Sequence, residues 1–129
     1  MALPSDANID LLICDAVRQT PDGKLDLAGY FPVPEVKIDV AAKLPVAINL
    51  TFVFVLKDGD GRYRPSFRLF DPMGQELHRG ESGEFVKLPG APGMVLLQIA
   101  RIPVAVAGNY AIVLRLGDGE YRRSFRVYQ

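Results

Sequence analysis

Cysteine, histidine and tryptophan are scarce in this sequence, which has one, one and none of them in 129 residues. The single cysteine, Cys14, excludes an intramolecular disulfide, and its place in the apolar run 9–17 favours a buried, unreactive thiol. One histidine, His78, cannot complete a zinc site with one distant cysteine, and no motif marks it as a catalytic base. We therefore predict no metal, no cofactor and no catalytic residue, and we expect His78 to be an exposed loop imidazole.

Net charge is also absent, because 15 lysines and arginines balance 15 aspartates and glutamates. The chain therefore has no overall field that would attract nucleic acid or an anionic membrane, and we predict neither as a partner. The distribution is uneven. Residues 1–44 hold seven acidic and four basic residues, a balance of 4 − 7 = −3, which leaves +3 for the rest of the chain.

Long apolar runs are missing, so no segment is predicted to span a bilayer. The first ten residues have neither the basic region nor the apolar stretch of a secretory signal, and a lone cysteine favours a reducing compartment. We predict a cytoplasmic protein. Its length and hydrophobic fraction of 49% suit one domain, residues 1–129, with a core of its own.

Side chains that alternate with period two dominate the pattern, whereas helical spacing is scarce. The clearest core strand is 46–56, and the chain ends in a hairpin, 108–129, that turns at 117–120. Together the segments predict an all-β, antiparallel, immunoglobulin-like sandwich of about eight to ten short strands with little helix. Further strands are predicted at 9–19, 24–31, 63–71, 75–78, 84–88 and 94–102, with a short extended piece at 36–40.

Turns are marked by Pro, Gly and Asp clusters at 20–23, 57–62 and 71–74, and 89–93 is predicted to be a loop. Both faces of the 9–19 strand are largely apolar, so we expect it to be covered on both sides. Pro32 and Pro34 argue against a central strand in the connection that follows.

The segment IDLLICDAVRQTPDGKLDLAGYFP, residues 9–32, with its Cys14-Asp15 pair and Gly23-Lys24 turn, resembles the start of an uncharacterised family of small, single-domain bacterial proteins. FRLFDPMGQEL at 67–77 and GNYAIVLRLGDGEY at 108–121 extend the resemblance over most of the chain. The resemblance implies an immunoglobulin-like β-sandwich. It implies no active site, because the family brings none that could be transferred.

Tyr110, in Gly108-Asn109-Tyr110 at the start of the penultimate strand, allows two interpretations. It is placed as in a tyrosine corner, where the hydroxyl bonds backbone a few residues upstream. Alternatively, the ring packs in the core and leaves its hydroxyl at the edge. The sequence leaves both open.

Other candidate chemistry is better explained by turns and solvated loops. Asp58 and Asp60 suggest calcium, but the later positions of an EF-hand loop lack oxygen ligands, so a hairpin turn with at most weak cation binding is expected. No phosphate-loop motif occurs. Glu81 and Glu84 lie in a polar Gly/Ser segment, where we expect both carboxylates to be solvated rather than to act in acid–base chemistry. We predict that the protein is not an enzyme.

A basic and aromatic sheet surface is the one candidate site. If strand 46–56 is strand B of an immunoglobulin-like scheme, then 63–71 is C and the closing hairpin is F and G, side by side in one sheet. Arginine and aromatic side chains are enriched at protein interfaces, so a homodimer or a contact with another protein is predicted through their outward residues. The competing interpretation is a solvated face whose arginines pair with acids across strands. The candidate residues are Arg64, Arg68, Phe70, Val113, Arg115, Arg122, Arg126 and Tyr128.

The predicted function is therefore a non-enzymatic protein-binding or scaffold module. A small-ligand- or carbohydrate-binding sandwich is the alternative, which the absence of tryptophan and an aromatic content of 9% weaken. A hydrolase with an unrecognised site is the third possibility. Nothing in the sequence names the partner or the oligomeric state.

Overall fold

Twelve strands and one short 3-10 turn make up the protein in a computed structural model that describes residues 2–22, 24–31, 34–38 and 41–129. Branched and aromatic residues spaced two apart form the strands, and Gly, Pro and Asp end them. The 3-10 turn is Asp6–Asn8. The strands are β1 Ile9–Cys14, β2 Ala16–Gln19, β3 Leu25–Ala28, β4 Glu35–Lys37, β5 Val46–Leu56, β6 Gly61–Tyr63, β7 Ser66–Phe70, β8 Glu76–Glu81, β9 Phe85–Lys87, β10 Gly93–Val104, β11 Gly108–Leu116 and β12 Gly119–Tyr128.

Eight of these strands form two sheets, one of three strands in the order β1-β5-β10 and one of five in the order β4-β12-β11-β7-β8. Neighbours are antiparallel except β4, which runs parallel to β12. Two short antiparallel pairs, β2 with β3 and β6 with β9, complete the fold. The predicted adjacency of strands C, F and G is confirmed, because β7, β11 and β12 are neighbours in the larger sheet, with β5 in the other.

The core lies between the two sheets, which makes the molecule an all-β sandwich. On β5 the alternating side chains of Leu50, Phe52, Phe54 and Leu56 are buried, as the pattern predicts. The ring of Phe52 lies 5.3 Å from the ring of Phe125 on β12, measured between centroids, so the sheets are in direct contact. Such aromatic packing adds to the free energy that burial of apolar area supplies.

Tyr110 decides between the two interpretations left open by the sequence. Its side chain is buried, and its hydroxyl donates a hydrogen bond to the carbonyl oxygen of Val106, four residues upstream, at 2.6 Å. This is the backbone contact of a tyrosine corner. Burial raises the pKa of the phenol, so the hydroxyl stays protonated and keeps donating.

Two predicted strands are each divided, which accounts for twelve strands where eight to ten were expected. The 9–19 segment breaks at Asp15, whose backbone N–H donates to the carbonyl of Ala28 at 2.9 Å and redirects the chain from β5 to β3. The 63–71 segment breaks at Pro65, which has no N–H for a sheet ladder and accepts a hydrogen bond from Ser82 N at 2.8 Å.

The expectation that the first strand is covered on both sides is wrong for β1. That strand lies at the edge of the three-stranded sheet, with Asp10 exposed and Leu12 only half-buried. Only Cys14 and Ile13, near its end, and Ile9, at its start, are fully buried. Asp10 and Leu12 point away from the core between the sheets, so their side chains stay accessible to solvent.

His78 lies within β8, which runs from Glu76 to Glu81 and so extends beyond the predicted 75–78 segment. It is half-buried and pairs in register with Leu69 of β7. The expectation of an exposed loop imidazole is therefore wrong. The strand continues past His78 because Arg79 pairs with Arg68, and Glu81 with Ser66, in the antiparallel ladder between β8 and β7.

Asp58 and Asp60, the acids of the predicted 57–62 turn, hold the N-terminal segment. The carboxylate of Asp58 accepts hydrogen bonds from the N–H and the hydroxyl of Ser5, at 3.0 and 2.5 Å, and from the amide of Asn8 at 2.9 Å. The Asp60 carboxylate accepts one from Ala2 N at 2.9 Å. These donors, with Ser5 as the main cause, hold the pKa of Asp58 below its ordinary value.

Side chains of strand β12 also form hydrogen bonds with this N-terminal segment. The hydroxyl of Tyr121 donates to the carbonyl of Pro4 at 2.6 Å, and Tyr121 is only 4% exposed. Arg123 donates to the carboxylate of Asp6 at 2.9 Å and to the carbonyls of Asp6 and Ile9 at 2.7 and 2.9 Å. Residues 2–9 are thus fixed across one end of the sandwich.

Four residues that the sequence analysis used lie outside the described residues: Gly23 of the first turn, Pro32, Asp39 and Val40. Among the residues that the structure describes, no helix is long enough and apolar enough to cross a membrane.

Candidate protein-binding face

The five-stranded sheet brings most of the predicted residues onto one surface. In the ladder, Val113 of β11 is paired with Arg68 of β7 on one side and with Arg122 of β12 on the other. Ala111 is likewise flanked by Phe70 and a serine, and Arg115 lies two residues from Val113. Directly paired residues point to the same side of a sheet, so these side chains share the surface that faces away from the core.

We call this surface the outer face: the outward side chains of β7, β11 and β12. Arg126 and Tyr128 belong to it, since they follow Arg122 on β12 at even spacing. Arg64 precedes β7 and is exposed beside the outer face rather than within the ladder. Val113 is 9% exposed, so it forms the floor between flanking arginines and contributes little accessible area.

The ring of Phe70, on β7, lies close to two guanidinium groups of the outer face. The guanidinium carbon of Arg68 is 4.8 Å from the ring centroid of Phe70, and that of Arg122 is 5.8 Å from the same centroid. At the far end of β12 the guanidinium of Arg126 lies 4.9 Å from the ring of Tyr128. Stacking on a ring orients a guanidinium while its N–H edges remain available to an acceptor.

Acidic side chains pair with part of this surface, as the competing interpretation predicted. Glu76 of β8 accepts from Arg68 at 2.7 Å and from Arg79 at 2.9 Å. Hydrogen bonds from Arg68 first, and from Arg79 second, hold the pKa of the Glu76 carboxyl below its ordinary value. Arg126 is 3.9 Å from Glu35 of β4, and both are largely exposed, so that pair is loose.

Three arginines of the predicted set have no acidic partner within the part of the chain that the structure describes. Among the residues described, no carboxylate oxygen lies within 4.0 Å of Arg64, Arg115 or Arg122. Arg115 donates from Nε to the carbonyl of Gly117 at 3.0 Å, which fixes its direction next to the hairpin turn. The outer face therefore keeps unneutralised positive charge at its centre and along one end.

A shallow depression of about 300 Å³ lies on this surface at the β7 and β8 side. Its walls include the long side chains of Arg68, Arg79 and Arg115, and Val113 lies in its floor. Glu81 and Glu120 complete the rim. This volume is at the lower end of what buries a small ligand, and the depression opens broadly to solvent, so it suits a side chain of a partner better than an enclosed ligand.

Of the remaining candidates for chemistry, Glu81 lies on the rim of that depression, and the others are apart from the outer face or already paired. Cys14 is fully buried, and burial, followed by the nearby Asp15 carboxylate, raises the pKa of its thiol. Glu84 forms an ion pair with Arg62. Within the described ranges no three His, Cys, Asp or Glu side chains converge as ligands for a metal ion.

Sequence reasoning missed Arg79, Glu76 and Glu35, which border the outer face from β8 and β4. Both strands were predicted only as brief segments, so their pairing partners were not assigned. It also missed Lys87, which is 2% exposed and donates to the carbonyls of Gly59 and Leu88 at 3.0 and 2.8 Å. The one sequence signal for Lys87 was its place two residues after Phe85 in the predicted 84–88 strand, which puts both side chains on one face.

These features define an all-β sandwich with a basic, aromatic sheet surface. The chain belongs to a family of unknown function, DUF6941, whose model matches residues 9–127. No curated protein matches the sequence. Among solved structures, the crystal structure of β-glucosidase from Listeria innocua in complex with glucose is similar, with a TM-score of 0.42 and 9% identity. The match covers 94% of this chain but 16% of that one, so this protein spans a small part of the enzyme's length.

Proposed function

We propose that the protein is a non-enzymatic binding module that docks a protein partner on the outer face. The observation that carries this proposal is the arrangement around Phe70: the guanidinium carbons of Arg68 and Arg122 lie 4.8 and 5.8 Å from the centroid of one ring, and Arg122 has no acidic partner among the described residues. Exposed arginine and aromatic side chains in this arrangement are typical of interface centres.

The strand order supports an immunoglobulin-like classification for the sandwich, which we propose for this chain. β7, β11 and β12 correspond to strands C, F and G, and β1, β5 and β10 to the opposing sheet. We also propose a cytoplasmic, bacterial protein, supported by the lone buried Cys14 and by the resemblance of residues 9–32.

Measuring the mass of the protein in solution distinguishes binding to a second copy of the chain from binding to a different protein. Arg68→Glu with Arg126→Glu reverses two charges on exposed side chains and so changes the electrostatics of the outer face. Because Arg68→Glu also places a carboxylate beside Glu76, a thermal melt of the variant checks that it folds. If copies associate through this surface, light scattering gives a dimer mass for the native chain and a monomer mass for the variant. An unchanged mass rules out the homotypic form.

A heterologous partner is tested by affinity purification from the native cell. We expect one or more proteins to be recovered with the native chain and lost with the Arg68→Glu, Arg126→Glu variant. The matched control is Arg18→Glu with Lys43→Glu, two exposed basic residues outside the five-stranded sheet. Recovery by the control but not by the face variant supports the proposal, and equal recovery by all three chains contradicts it.

A further inference from the structure

We propose that the partner contacts the outer face with carboxylate side chains carried by an extended segment, an inference that rests on the proposed function. Guanidinium groups bind carboxylates through two parallel N–H···O hydrogen bonds in one plane. At Arg122 no carboxylate oxygen of the described residues lies within 4.0 Å, and the guanidinium carbon lies over the Phe70 ring, 5.8 Å from its centroid. The group is thereby oriented before a partner arrives, which reduces the entropy that binding costs.

Spacing along β12 favours an extended segment over a single anion. Arg122 and Arg126 are four residues apart on the same side of the strand, about 13 Å along its axis. Arg115 lies on the neighbouring strand, two residues from the position that pairs with Arg122. One phosphate group could not reach both ends of this row. Side chains at positions i and i+4 of a second extended chain have the same separation and the same direction.

The border of the outer face limits how much negative charge a partner can carry. Glu35 flanks it on β4, Glu76 and Glu81 on β8, and Glu120 at the start of β12. A continuous polyanion such as RNA would place phosphates beside these carboxylates, where like charges repel. A segment with acids at its centre and neutral or basic residues at its ends would meet arginines in the middle and carboxylates at the border. Charge complementarity therefore selects an acidic protein segment.

Short peptides make this chemistry measurable without knowledge of the natural partner. The probe is a capped ten-residue peptide of threonine, valine and serine with two central glutamates four positions apart. One control peptide has glutamines at both places, and a second has glutamates three positions apart, which point to opposite sides of an extended chain. Binding is followed by amide chemical shifts of the ¹⁵N-labelled full chain at low and high salt.

We expect the first peptide to shift amides of β7, β11 and β12, and to bind about tenfold more tightly than either control. Raising the salt from about 20 mM to about 500 mM should weaken that binding severalfold, because the charges are exposed. Arg122→Gln should reduce the affinity to that of the glutamine peptide, whereas Arg18→Gln should leave it unchanged. The Arg122 side chain is exposed, so this variant is expected to fold, and its spectrum checks that it does.

Several outcomes would overturn the inference. The first is that the glutamine peptide binds as tightly as the acidic peptide. The second is that about 5 mM of the acidic peptide shifts no amide of β7, β11 or β12. The third is that a single-stranded RNA ten-mer shifts the same amides and binds more tightly than the acidic peptide. Each of them leaves the proposed function standing if the Arg68→Glu, Arg126→Glu variant still loses a protein partner. If that variant instead retains every protein that the native chain recovers, the proposed function itself is contradicted.

Discussion

The hydrogen bond between Tyr121 and Pro4 gives a sharp test of how the N-terminal segment is held. Replacing Tyr121 by phenylalanine keeps the ring in the core and removes a hydroxyl that donates at 2.6 Å from a side chain that is 4% exposed. Pro4 is buried as well, so its carbonyl oxygen loses its donor where water has poor access. Loss of a buried hydrogen bond with one partner left behind costs about 1–2 kcal/mol.

For a chain of this length that free energy corresponds to a fall in Tm of about 4–8 °C. The measurement is urea unfolding of the native chain and the Tyr121→Phe variant, followed by fluorescence or circular dichroism, together with hydrogen exchange at the Ser5 amide. Exchange there should become faster, because Ser5 follows the residue whose anchor is lost.

The matched control is Tyr128→Phe on the outer face, where the ring is half-buried and the hydroxyl has no hydrogen-bond partner among the described residues. Its free energy of unfolding should stay within about 0.5 kcal/mol of the native value. If both variants change stability equally, or if Tyr121→Phe leaves it unchanged, the segment before β1 does not depend on β12 and the reasoning is refuted.

Three further predictions concern a close approach, a turn and an ion pair. A Cβ added at Gly93 would lie 2.6 Å from the Phe85 ring, so Gly93→Ala should lower the free energy of unfolding by about 1–3 kcal/mol in urea titration, whereas Gly83→Ala, with open space around it, should not. Asp71→Ala removes the acceptor of two turn N–H groups at 2.8 and 2.9 Å and should cost about 1 kcal/mol by the same measurement, with Asp71→Asn closer to native. The pKa of Glu76 is lowered in the folded state, so its contribution to stability is present above the unfolded value near 4.5 and is lost as the pH falls through the folded pKa. Thermal melts from pH 7 to 3 should show this loss, and it should be smaller in Glu76→Gln.

The larger elements could be predicted because they are long and alternate without interruption. β5 has the bounds 46–56 that the sequence predicts, and the closing hairpin β11–β12 is present with its buried side as expected. Each of these strands has a bulky side chain at every second position for about ten residues, so only one face can enter the core. The adjacency of β7 to β11 follows from the sandwich scheme rather than from any local signal.

Breaks within strands and pairing across strands could not be predicted in the same way. The bend at Asp15 depends on a hydrogen bond to Ala28, thirteen residues later, and no glycine or proline marks it in the sequence. Likewise, Glu76 meets Arg68 and Arg79 because the register of β8 shifts next to Phe70, which no local pattern records. The sequence therefore identified the arginines of the outer face but not which of them are already neutralised.

Successive side chains of β12 point to opposite sides of the sheet, so the residues that stabilise the fold and the residues proposed to bind a partner lie on different sides of one strand. Its inward residues Tyr121, Arg123 and Phe125 hold the N-terminal segment and the core, whereas Arg122 and Arg126 point away from both. Removing an outward guanidinium leaves no buried group unpaired, so it should cost little stability. A binding defect in an Arg122 variant with a native Tm would therefore report on the outer face alone. If that variant also lost several degrees in Tm, the two sides of β12 would be coupled, and the outer face would contribute to the fold rather than serve as a surface free for a partner.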